Sequence, residues 1–171
     1  MTQQLDDLVE MVLQYATKLI GVKYTWWKGG PLDTNPHPFY IHSVPSITYI
    51  KTNGINCAGL INLLRQKAGC KVHESGGTVG WYDYFKKMGV LNKFKESGNY
   101  SIGTLLLRKY RDEVDQGHLA VCYSGKEPNI NIIHAYDDDD CGTGIVDISK
   151  LRPDYNNYFE YTVSPKHWLI E

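Results

Sequence analysis

The sequence predicts an α+β fold, with helices packed on an antiparallel sheet, and three observations carry that expectation. Leu5, Leu8, Val9, Val12, Leu13, Ala16 and Leu19 recur at three- and four-residue steps, the apolar stripe of an amphipathic helix. After residue 100 the pattern changes to short apolar or alternating runs separated by Gly, Pro, Asn and Asp, which is the strand signature. Helices come first and strands second, without the βαβ alternation that would build a parallel sheet.

Taken in order, the first helix gains from Asp6, Asp7 and Glu10 near its positive end, with Gly21 placed to stop it. A short aromatic stretch follows, Val22 to Gly30. Between 31 and 54 lie Pro31, Pro36, Pro38 and Pro45, which predict an extended loop insertion near any cleft, with a short strand at Ile47 to Ile50. Asn56 is a good N-cap and puts Cys57 at the first position of a second helix that stops at Gly69. Thr78 caps a third helix through Trp81, Tyr82, Phe85 and Met88, which Gly89 ends. The strand runs are Thr104–Arg108, His118–Tyr123, Ile130–Ala135, Gly144–Ile148 and Tyr158–Val163. The acidic run Asp137 to Asp140 lacks the alternating ligands and glycine of a calcium loop and reads as solvated.

With 171 residues, the chain is expected to form one domain, 1–171. A 42% hydrophobic and 22% charged composition describes a globular core, not a disordered chain. Eighteen basic against 19 acidic side chains give a net charge of -1, which argues against a general nucleic-acid or anionic-membrane binder. No stretch approaches the ~18–20 apolar residues of a membrane span, and the start has no signal-peptide pattern. Four cysteines without CxxC pairing are expected as free thiols in a reducing compartment. The default expectation is therefore a cytoplasmic monomer without a cofactor, export by another route staying open.

Cys57 is the first candidate for chemistry. At a helix N-terminus the macrodipole and unsatisfied N–H groups favour thiolate over thiol, and the same groups can hold an oxyanion. The plainer reading is a buried cysteine used as a small apolar residue. Strand periodicity puts His118, Ala120 and Cys122 on one face, and His134 on a face with Ile132 and Ile130. A short loop joins these two runs, so two histidines on adjacent strands can point at one helix end, one as base and one as orienter. A lone strand histidine is more often a core residue; two with a helix-starting cysteine form a constellation. A metal site of Cys57, Cys122, His118 and His134 is the competing reading, but no pair has finger-like spacing, and no metal is expected. Trp26 and Trp27 divide between walling a groove and packing under the first helix. Trp81, Tyr82 and Tyr84 divide between core and rim. His37 and His42 read as surface residues, and His73 and His167 show no partner.

These segments, in this order, resemble the NlpC/P60 superfamily of papain-like cysteine peptidases. Tyr24-Thr25-Trp26-Trp27-Lys28-Gly29-Gly30 resembles the family's Tyr-x-x-Gly-Gly, and Asn56-Cys57-Ala58-Gly59-Leu60 resembles its nucleophile motif Asp-Cys-Ser-Gly-Leu. Ile102-Gly103-Thr104-Leu105 is similar to its Gly-Asp-Leu strand, Gly117-His118-Leu119-Ala120-Val121 to its Gly-His-Val-Gly-Ile strand, and Ile132-Ile133-His134-Ala135 to its Ile-His-Ala. The resemblance spans residues 5 to about 150. It implies Cys57 as nucleophile, His118 as general base and then acid, and His134 as orienter. Tyr24, Asn56, Ala58, Trp26 and Gly117 would line the oxyanion and substrate positions.

The implied activity is cleavage of an amide or isopeptide bond by a Cys-His-His triad, in the family γ-D-glutamyl bonds of peptidoglycan peptides. Asn56 stands where a carboxylate is usual and Ala58 where a serine is usual, the pair that in cell-wall members helps bind the substrate's free amine. Losing a charge-assisted partner of an ammonium costs roughly 1.5–3 kcal/mol, so the expectation is retained chemistry on a different peptide or amide substrate. An acyl or amide transferase on the same triad, and a catalytically silent binding module, are the alternatives.

Overall fold

The computed structural model describes residues 2–26, 38–73, 75–95, 98–112, 115–125, 130–136, 146–151 and 158–170. Within them the chain forms α1 (Thr2–Thr17), α2 (Ile47–Asn53), α3 (Cys57–Lys67), α4 (Thr78–Met88) and α5 (Pro165–Trp168). The strands are β1 (Asn92–Lys93), β2 (Leu105–Arg108), β3 (His118–Ser124), β4 (Asn131–Ala135), β5 (Val146–Lys150) and β6 (Tyr161–Val163). They make one antiparallel sheet in the order β1-β6-β2-β3-β4-β5. The α+β expectation holds, and among the described residues no helix is long and apolar enough to cross a membrane.

Period-two alternation sorts the central strands between two clusters. Leu105, Leu107, Leu119, Val121, Ile133 and Ala135 join the larger core beneath α1, α3 and α4. Leu106, Ala120, Cys122, Ile132 and Phe159 form a smaller cluster on the opposite face. Full burial of each large apolar side chain stabilises by roughly 1.5–3 kcal/mol, so a one-residue slip of β3 would exchange the two clusters and is strongly disfavoured.

Helix α3 is the buried axis of the larger core. Its N-cap Asn56 is extended and its Oδ1 accepts the Gly59 N–H at 2.7 Å, as the capping pattern predicts. At its far end Arg65 is 1% exposed; its guanidinium donates to the carbonyls of Trp168 and Lys71 and lies over the Trp81 ring. Between them Asn62, fully buried, donates to the Phe39 and Gly76 carbonyls and accepts from Trp81 Nε1–H.

Several expectations change. Residues 47–53 form helix α2 and not a strand, so the 31–54 segment is not a loop throughout: every proline of the segment precedes Ser46, whose side chain caps the Tyr49 N–H. Thr78 is the first residue of α4, and Gly77 is the N-cap. Helix α1 ends at Thr17, and no acidic residue lies in its first turn; Gly21 turns the chain four residues later with φ +85°. His73 does have a partner, since its Nδ1 lies 3.0 Å from Ser75 Oγ. Trp27, His37, Asp137 to Asp140 and Cys141 lie outside the described residues.

Candidate active site

Cys57 begins α3 with its side chain 6% exposed. Its sulfur takes hydrogen bonds from the N–H groups of Leu119 and Ala58 and from the hydroxyls of Thr78 and Tyr24. Each donor has a local cause. The Ala58 N–H is one of the helix-start donors without an intrahelical acceptor. Thr78 opens α4, and Tyr24 is held opposite Ile55 by a parallel bridge that aligns the 23–25 segment with the approach to α3. Leu119 lies two residues before the first register pair of β3 with β4, Val121↔Ile133. Burial outweighs these donors and pushes the Cys57 thiol above its ordinary value. The helix-start position therefore does not leave a thiolate at rest, contrary to the dipole argument.

The two histidines come together. His118 Nε2 and His134 Nδ1 are 2.8 Å apart, with ring centroids 5.1 Å apart and planes at 71°. Both are buried, at 6% and 2% exposure, on the face of Ala120 and Cys122; the His118 ring meets Tyr158 and Phe159, and His134 stacks on Tyr136. Burial first, then His134 and Arg108, hold His118 well below the ordinary histidine value. Burial lowers His134 to about 4 against an opposing pull from Asp147. The resting arrangement is thus a neutral thiol on the α3 side of the sheet and a pair of neutral imidazoles on the face of Ala120 and Cys122.

The bridge between sulfur and imidazoles is the strand backbone. Among the described residues the sulfur's partners are the four donors above and do not include an imidazole. Its Leu119 donor, however, is two covalent bonds from His118 Cα, and the His118 nitrogen not engaged with His134 is Nδ1. Gly117 sets the start of this strand. Its φ is +79°, and a Cβ there would lie 2.4 Å from the Arg108 carbonyl oxygen and 2.8 Å from Thr78 Cγ2. Only glycine fits both the left-handed conformation and that contact.

A cavity of about 310 Å³ opens onto Cys57, walled by Tyr24, Trp26, Phe39, Thr78, Tyr110, Gln116 and Gly117, with Asn56 and Ala58 at its base. Trp26, at 39% exposure, walls the cavity and is not packed away beneath α1. Phe39 brings the 38–40 segment to the cleft, where the Pro38 carbonyl sits so close to α3 that a Cβ on Gly59 would be 2.1 Å from it. Among the described residues, no Asp, Glu, Lys or Arg side chain lines the cavity. The carboxamide oxygen of Asn56 is already engaged by Gly59. Cys122 lies in the smaller cluster, and its thiol is pushed up to about 12 by burial. Among the described residues no group of three His, Cys, Asp or Glu is arranged to hold a metal ion.

The sequence pattern reads Thr78 as a cap and gives no sign of its hydroxyl at Cys57, nor of Phe39, whose place depends on how the proline-containing segment returns to α3. No protein-family model matches the chain, and no curated protein matches it.

Proposed function

We propose that this chain is a thiol hydrolase of amide or isopeptide bonds, with a papain-like fold of the NlpC/P60 kind. The observation that carries this reading is a helix-starting sulfur, met by four donors, one of them the amide beside His118 in a hydrogen-bonded imidazole pair. As the Cys57 sulfur attacks the carbonyl carbon, its proton passes to His118 Nδ1. Hydrogen bonds between catalytic groups commonly tighten only when substrate is bound, and this one requires the His118 ring to turn away from Phe159 towards the start of α3. The Ala58 N–H and the Tyr24 hydroxyl turn to the developing oxyanion. Collapse breaks the C–N bond, His118 returns the proton to the leaving amine, and water hydrolyses the thioester to a carboxylate and the free thiol.

The cavity supports a substrate with no ammonium group next to the scissile bond. Neither Asn56, spent on Gly59, nor Ala58 replaces the acidic and hydroxyl pair that the family resemblance implies for cell-wall peptides. The test is turnover of muropeptides, neutral peptide amides and amide-linked esters, followed by mass spectrometry with competing amine nucleophiles. Neutral amides are expected to be cut in preference, Cys57→Ala to abolish the cut, and His134→Ala to slow it far more than it lowers stability. Transfer to the added amine in place of water would make the enzyme a transferase, and turnover that survives Cys57→Ala would end the proposal.

A further inference from the structure

The sheet presents a row of four charged or titratable side chains on adjacent strands. Arg108 of β2 is the register partner of His118 of β3, and His134 of β4 is the register partner of Asp147 of β5. Residues directly opposite in antiparallel strands share a face, and the 2.8 Å bond between the imidazoles joins the two pairs. The order across the sheet is therefore cation, imidazole, imidazole, anion.

Both ends of the row are held. Arg108 Nε and Nη2 meet the Asp115 carboxylate at 3.1 and 2.5 Å, and Nη1 donates to the Tyr158 carbonyl at 3.1 Å. The guanidinium lies 4.9 Å over the Tyr158 ring, and that ring lies 5.8 Å from His118. Asp147 Oδ1 accepts the Ile148 N–H at 2.8 Å.

We infer that Arg108 and Asp147 are positioning residues that polarise the imidazole pair, so that the proton taken from Cys57 comes to rest as a positive charge on His134. This rests on the hydrolase reading. The proton arrives at His118 Nδ1, the proton on His118 Nε2 crosses to His134 Nδ1, and the reverse transfer later supplies the leaving amine. A cation beside His118 disfavours charge there, and an anion beside His134 favours it. The other groups facing the pair are Tyr158 and Tyr136, with Asp115 and Glu160 acting through Arg108, and the neutral Cys57 thiol across the Leu119 amide. Asp115 offsets part of the guanidinium charge and leaves its direction unchanged.

The experiment reads the pair in two ways. In Cys57→Ala protein carrying ¹⁵N-labelled histidine, NMR follows the pH at which the pair takes its first extra proton and which ring holds it. Wild-type charge is expected on His134. Asp147→Asn is expected to move that pH down, and Arg108→Gln to move it up, each by at least about half a unit; Asp147→Glu and Arg108→Lys should restore it. The acid limb of kcat/KM should shift the same two ways. Displacements in one common direction, no displacement, or charge held on His118 in the wild type would overturn the inference. If Arg108→Gln does not fold, the Asp147 variants and the ring assignment decide the matter alone. Opposite ring displacements in a protein without Cys57-dependent turnover would instead overturn the hydrolase reading and leave the polarised row standing.

Discussion

Replacing Asn62 by alanine removes three hydrogen bonds at one buried point, to the Phe39 and Gly76 carbonyls at 2.8 and 2.9 Å and from Trp81 Nε1 at 2.9 Å. The indole N–H would be left without an acceptor at a fully buried site, a cost of about 1–3 kcal/mol. Each carbonyl keeps some freedom to find another donor and loses about 0.5–1.5 kcal/mol. The sum, roughly 2–6 kcal/mol, is a large share of the ~5–15 kcal/mol that typically separates native from unfolded. With a urea slope of about 2 kcal/mol per molar, the unfolding midpoint should fall by ~1–3 M, read by tryptophan fluorescence. The loss should also loosen the cleft, because Phe39 and the Gly77–Thr78 start of α4 both wall it. Asn62→Asp sharpens the test. It turns a donor facing two carbonyls into a carboxylate, whose native-state pKa is then raised, so its destabilisation should shrink as pH falls from 7 to 5. An alanine midpoint within ~0.3 M of wild type would refute the view that this amide ties the cleft walls to α3.

Two further outcomes follow from the neutral resting site. His134 is held near 4 against an ordinary 6.5; above pH 6.5 both states leave it neutral, and as pH falls towards 4 only the unfolded chain accepts the proton. Stability should therefore be lost across that window by ~3 kcal/mol, measured as a urea midpoint falling between pH 7 and 4.5 and flattened by His134→Gln; a midpoint rising towards acid would contradict it. Because burial raises the Cys57 thiol and takes Cys122 to about 12, the half-buried Cys70 should be alkylated before either of them at pH 7. Mass spectrometry of iodoacetamide-treated protein checks the order, and preferential labelling of Cys57 would show that its four donors outweigh burial.

Much of the architecture was legible because it is written in local patterns. The stripe of α1, the Asn56 and Gly89 ends of α3 and α4, and the alternation of β2, β3 and β4 each depend on residues within a few positions of one another. Helix α2 was hidden by its proline-rich approach and its β-branched Ile47, Thr48 and Ile50, though Ser46 carried its cap. Two-residue β1 is defined by β6 across the sheet and has no signature of its own. Helix α5 did offer one in Ser164-Pro165, a cap followed by proline at the first position. At the site, the two histidines were found by periodicity, but the face they occupy and the amide that meets the sulfur depend on register and burial. The same limit explains the thiol. A dipole argument knows the helix end, whereas the opposing desolvation comes from residues distant in the sequence.

The contacts of Arg65 bear on how the protein is handled. The rod that begins at Cys57 is bolted, two turns later, to the backbone carbonyl of Trp168. Removing Trp168 and its neighbours would strand a cation in an apolar interior and disturb the Cys57 end of the helix from behind, so an affinity tag should leave the Pro165–Trp168 turn in place.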